Sequence, residues 1–210
     1  MALPKLNDNQ DIKRVIHHEL GHWLMAREVG FEIGEIRLDT LWGKAAGSSK
    51  VFPRATSQLS SAESIDEYIT KRVMVLCAGV RTEVEWYHRM PGFSFGKDDV
   101  NNVYENGVID TSGLTDKGRI DELLIILAGI RYNAANSYSD LSHQMRAIFE
   151  TIYSQVCEIA EDFMEKLFIL AELIEKEQWQ GRRKLTVSSK RLIELEAVAA
   201  EKIANIHSTE

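Results

Sequence analysis

Several familiar signatures are missing from this chain, and each absence removes a class of function. No stretch reaches the roughly 18 uncharged apolar residues that a membrane-spanning helix needs, so no membrane partner is expected. Residues 1–10 contain no apolar run and do not read as a secretory signal. Basic residues are not in excess: 25 Lys and Arg stand against 32 Asp and Glu, and a net charge of −7 argues against a nucleic-acid partner. The two cysteines, Cys77 and Cys157, form no Cys-x-x-Cys pair, which rules out a zinc-finger type of site. They read as buried thiols in a reducing, cytoplasmic setting. No Gly-x-x-x-x-Gly-Lys-Ser/Thr phosphate loop occurs, so the chain is expected to work without ATP. Internal repeats and low-complexity tracts are absent too. With 44% hydrophobic and 27% charged residues, the chain is expected to be globular, not disordered.

What is present centres on residues 12–29. Ile12, Val15, Ile16, Trp23, Leu24 and Val29 make an apolar helical stripe; Asp8 or Asn9 is available as its cap, and Gly30 as its stop. Inside the stripe sits His18-Glu19-Leu20-Gly21-His22. On a helix His18 and His22 share one face, so two neutral imidazoles can hold one Zn²⁺ and leave room for a third ligand and a water. Glu19 is offset from that pair. It is expected to act as the general base toward the attacking water, not as a ligand. The same spacing also occurs by chance on ordinary core helices. His17 is rotated about 100° from His18 and is expected to face outward or to pack, away from the metal.

The remaining pattern predicts a mainly α fold of the α+β kind: a zincin-like helical domain with a small β-sheet or edge hairpin and a C-terminal helical bundle. Residues 31–38 read as a β run interrupted by Gly34. Residues 42–53, rich in small residues and closed by Pro53, read as an edge strand or loop. After a polar linker at 54–63, Ser64 and Glu67 read as a capping box opening a helix over 65–90. Small residues at 77–79 would let this helix approach the His helix closely. Turn formers crowd 92–119, with a short helix expected near Asp98. Helices are expected at 116–134, 139–178 and 189–206, with a break at 181–187 and Ser188 or Ser189 as cap. Residues 1–112 would form the zinc-binding core, and 113–210 a helical part packed on it as one domain.

The residues alone leave the third ligand open among Glu83, Asp98 and Asp99, and Asp98 also suits a helix cap. Four landmarks, in order, narrow the choice. His18 to His22 matches His-Glu-x-Gly-His. Gly43, Lys44, Ala45, Ala46 and Gly47 match a Gly-x-Ala-x-Gly edge. Residues 76–85 read like Leu-x-Gly-Gly-Arg-x-Ala-Glu-Glu, and residues 95–100 like Gly-Ala-x-Asn-Asp-Leu. In these features, over roughly 12–103 and more weakly over 150–195, the chain resembles the peptidase domain of FtsH-type membrane-bound AAA+ zinc proteases. The departures are Leu20 where the family typically has Ala, the Val80-Arg81-Thr82 stretch, residues 104–150, which do not align, and the lack of an ATPase region.

The resemblance implies zinc held by His18, His22 and Asp99. It also implies a metalloendopeptidase acting on polypeptide substrates, in unfolded or flexible segments. Glu83 is the candidate for a hydrogen bond behind a ligand His. The 43–47 edge is the candidate for strand addition by a substrate peptide. Whether the chain forms a homo-oligomer stays open. Two alternatives remain: a regulatory zinc protease of the ImmA/IrrE type with Glu83 as third ligand, and a catalytically silent, zinc-stabilised binding module.

Overall fold

The computed structural model describes residues 6–41, 44–55, 58–90, 114–132, 137–179 and 183–208. Helix α1 runs over Asp8–Glu28. Its cap is Asn7, ahead of the expected Asp8 or Asn9. The Asn7 side chain accepts from Gln10 N–H at 2.9 Å, and the Gln10 side chain accepts from Asn7 N–H at 3.0 Å. Gly30 ends the helix as expected. Its φ of 82° belongs to the left-handed region, and it lets Phe31 N–H reach Ala26 C=O at 2.7 Å.

Strand β1 (Glu32–Leu41) pairs antiparallel with β2 (Lys44–Phe52), with a register shift between Ile33 and Ile36. Gly34 lies within that irregularity, and its carbonyl accepts from Trp23 Nε1 at 3.1 Å. A third strand, β3 (Lys184–Val187), joins the other side of β1, so the sheet order is β2-β1-β3. The edge placement of β2 matches the sequence expectation. β3 falls in the stretch expected to be only a break. Four residues are a weak signal, yet Leu185 and Val187 are buried and alternate with exposed Lys184 and Thr186.

Helix α2 (Ala62–His88) starts three residues earlier than predicted. Ser61 is the cap and Ser64 its reciprocal partner, because a serine hydroxyl can both accept and donate at either position. Helices α3 (Leu114–Arg131), α4 (Tyr138–Leu173) and α5 (Ser189–His207) follow, and a π-helical turn over Ile174–Trp179 extends α4. Ser188 caps α5 through Arg191 N–H, as expected.

α1 is the centre of the packing. It lies against α2, α4, β1 and β2, and nearly every residue from Ile12 to Ala26 is buried. Leu20, Trp23 and Met25 share one buried core with Val156, Leu167 and Leu170 of α4 and Leu192 and Leu195 of α5. Each such side chain contributes roughly 1.5–3 kcal/mol by burial. The α1–α2 seam is unusually tight. A Cβ on Gly21 would sit 2.6 Å from the Ala78 carbonyl oxygen, and Thr82 Oγ1 donates across the seam to His17 C=O at 2.8 Å. Among the described residues, no helix is long and apolar enough to cross a membrane.

Candidate metal centre

The two imidazoles of the motif project from α1 into the α2 seam, where both are buried. Their ring nitrogens divide into two sets. On the back side, His18 Nδ1 lies 2.9 Å from Glu83 Oε2 and His22 Nδ1 lies 2.7 Å from Val75 C=O. Both partners accept, so each Nδ1 carries a hydrogen, and in the neutral rings each Nε2 presents a bare lone pair. On the front side these Nε2 atoms are 3.0 Å apart, and Asp116 Oδ2 lies 3.2 Å from each.

Three lone-pair atoms pointing at one place repel unless a cation or proton lies among them. Tetrahedral zinc at about 2.0–2.1 Å would space such ligands about 3.3 Å apart, close to the separations here. The space beside them is held open by a glycine. A Cβ on Gly79 of α2 would lie 2.5 Å from His22 Nε2 and 2.9 Å from His18 Nε2. The donor set and this cradle both fit a zinc ion. Without metal, protons serve the same end. Burial disfavours a charged His18, but the hydrogen bonds to Asp116 and Glu83, with the charges of Glu83 and Glu19, outweigh it and push His18 up to about 10. Burial likewise opposes charge on Asp116, and the two histidines overcome it, holding that carboxyl well below the usual range.

Asp116 belongs to the first turn of α3. The residues alone did not single it out: it is 94 positions from His22, in a stretch the family landmarks do not reach. Its one signal was an acid at a helix start, the feature that also drew attention to Asp98. Asp98 and Asp99, and the short helix expected there, lie outside the described residues. Glu83, the candidate for a hydrogen bond behind a ligand His, lies behind His18. Its other oxygen accepts from Arg14 Nη1 at 2.8 Å. That position is on the Nδ1 side of the ring, away from the paired Nε2 atoms, and so does not suit a third ligand.

Glu19 is also buried. Its carbonyl oxygen accepts from Ser49 Oγ, and its side chain lies against β2 at Gly47. A Cβ at Gly47 would come within 2.6 Å of Glu19 Cγ and 2.8 Å of its Oε1. It would also meet Val15 Cγ1 at 2.6 Å, so glycine is what lets β2 close directly on the buried Glu19 side chain, while Gly47 itself stays exposed. Of the other edge residues, Lys44 pairs with Leu41 and Ala46 with Asp39 in the ladder to β1, and Gly43 lies outside the described residues. Ala45 turns its N–H away from β1, onto Asp11 Oδ2 at 2.7 Å. Strand alternation turns the main-chain groups of Gly47 and Ser49 the same way.

The chain matches no protein-family model and no curated protein sequence. His17 contributes nothing to the site. Its ring packs 4.5 Å from Phe168 and 6.3 Å from Trp86, its Nδ1 bonds Lys13 C=O, and burial pushes its pKa down to about 4.

Proposed function

We propose that this chain is a zinc-dependent metalloendopeptidase that cuts unfolded or flexible protein segments without ATP, similar to the peptidase domain of FtsH-type proteases. The convergence of His18 Nε2, His22 Nε2 and Asp116 Oδ2, with hydrogen-bond acceptors behind both rings, carries this reading. Asp116 supplies the third ligand in this arrangement; Asp99, the residue the family landmarks favour, is the alternative that mutagenesis separates from it. Bound zinc would polarise the scissile carbonyl and acidify the attacking water.

The protein's own groups do the rest. The outward main-chain groups of Gly47 and Ser49 hold an extended peptide by strand addition. Gly47 lets β2 lie directly against Glu19, so a peptide held on this edge runs close to the Glu19 carboxylate. Glu19 takes the proton of the attacking water and hands it to the leaving amine. Glu83 and Val75 C=O keep both rings turned with Nε2 forward. Main-chain recognition gives little sequence preference, so accessibility selects the bond: tails and loops are cut and compact domains resist. The unbridged Cys77 and Cys157 suit a reducing cytoplasm.

The test is metal analysis together with a tailed substrate. One zinc per chain is expected, with trimming of a flexible tail from a tightly folded domain, equally with and without ATP. Zinc binding with no cleavage of any unfolded substrate would favour the silent binding module instead.

A further inference from the structure

The hydrogen bonds behind His18 do not stop at Glu83. The Glu83 side chain is 1% exposed, and Arg14, which bonds it, is 2% exposed. Arg14 Nη1 donates to Glu83 Oε1 at 2.8 Å, while its Nε and Nη2 donate to Asp11 Oδ1 at 3.0 and 2.8 Å. The second oxygen of Asp11 accepts Ala45 N–H from the outer edge of β2. One buried guanidinium thus stands between the outer strand edge and the back of the His18 imidazole. A planar fork can serve two carboxylates in fixed directions at once, and a lysine ammonium cannot reproduce that geometry.

We propose that Arg14 is a positioning residue that couples the free edge of β2, through Asp11, to the Nε2-presenting ring of His18, through Glu83. This rests on the metal reading above but not on peptide hydrolysis. A cation at Nε2 makes Nδ1–H more acidic and strengthens its bond to Glu83. That change polarises the bonds from Glu83 to Arg14 and from Arg14 to Asp11. Coupling of this kind is reciprocal, so releasing the strand edge weakens metal binding.

The experiment titrates zinc into ¹⁵N-labelled protein and follows the Ala45 amide, with Ala204 on α5 as a distant control. Ala45 is expected to shift in step with the His18 ring signals while Ala204 stays still. Asp11→Ala touches neither histidine, yet should weaken zinc binding by about 3- to 10-fold, less than loss of a direct ring partner. Arg14→Lys keeps the charge and loses the fork, so it should fold, bind zinc more weakly and lose the Ala45 response. If the Arg14 variant does not fold, the wild-type titration and Asp11→Ala decide. Zinc binding that leaves Ala45 unmoved, or an Arg14→Lys variant with the full response, overturns the coupling alone. Failure of the wild type to bind zinc overturns it together with the metal reading.

Discussion

The two sides of α1 bury histidines in opposite ways. On the α2 side, His18 and His22 meet carboxylates, a carbonyl and a glycine-lined gap, and His18 is pushed up to about 10. Toward α4, one residue away, His17 meets Phe168, with Trp86 from the end of α2 beyond, and is pushed down to about 4. Depth is similar for all three rings, so desolvation does not separate them. The neighbours do: carboxylates surround His18, while aromatic rings, one backbone carbonyl and the positive charges of Arg89 and Lys13 surround His17. The α2 side uses small residues to bring charged groups together, while the α4 side uses Val156, Ala160, Leu167 and Leu170 as plain core.

The largest effect that can break this contrast is on turnover. Glu19→Gln should keep zinc and fold but lower peptide hydrolysis by roughly 10²- to 10⁴-fold, measured as kcat on an unfolded substrate. Undiminished turnover would falsify the base assignment. Next, Asp116→Ala should weaken zinc binding by more than the roughly 10- to 100-fold expected for loss of a partner behind a ligand, and Asp99→Ala should not. A chelator-competition assay that returns the reverse order would move the third ligand to Asp99.

Gly79→Ala sharpens the comparison from the other helix. Its methyl would take the space beside both Nε2 atoms, so zinc affinity should fall by about 10-fold or more even though no ligand is lost. Gly129→Ala on α3 is the control, because nothing lies within 4 Å of its added Cβ.

The smallest effect belongs to His17. Its folded pKa, about 4, is below the 6.5 of an ordinary histidine, so between those values the unfolded chain binds the extra proton. Stability from this group is therefore present at neutral pH and is lost as pH falls from 6.5 toward 4. His17→Phe should flatten that part of the Tm-against-pH curve relative to wild type and leave zinc affinity unchanged. A large loss of zinc in that variant would show that the two sides of α1 are not independent.

Much of the site was legible because it is local. His18, Glu19 and His22 lie within five residues, and helical periodicity alone turns the two rings to one face. Glu83 was reachable by one further step: the small residues at 77–79 imply a close helix pair, and a carboxylate on the second helix then stands behind the first. The edge character of β2 followed from its glycines and small side chains. Asp116 was not legible, since nothing in residues 104–150 signals which acid returns to a helix 94 positions earlier. β3 was missed because four residues give alternation too little length, and Ser61 was missed because Ser64 offers an equally good local cap.

The amino-acid sequence by itself determined that His18 and His22 share one face of one helix, with Glu19 offset beside them. Those are properties of spacing along one continuous helix. Only the tertiary structure decided that Asp116 completes the convergence, that Gly79 lies against both Nε2 atoms, that Gly47 lets β2 pack on Glu19, and that Arg14 joins that strand edge to His18. Each of these depends on where α2, α3 and β2 lie against α1. That placement is set by packing among residues tens of positions apart, and no local pattern encodes it.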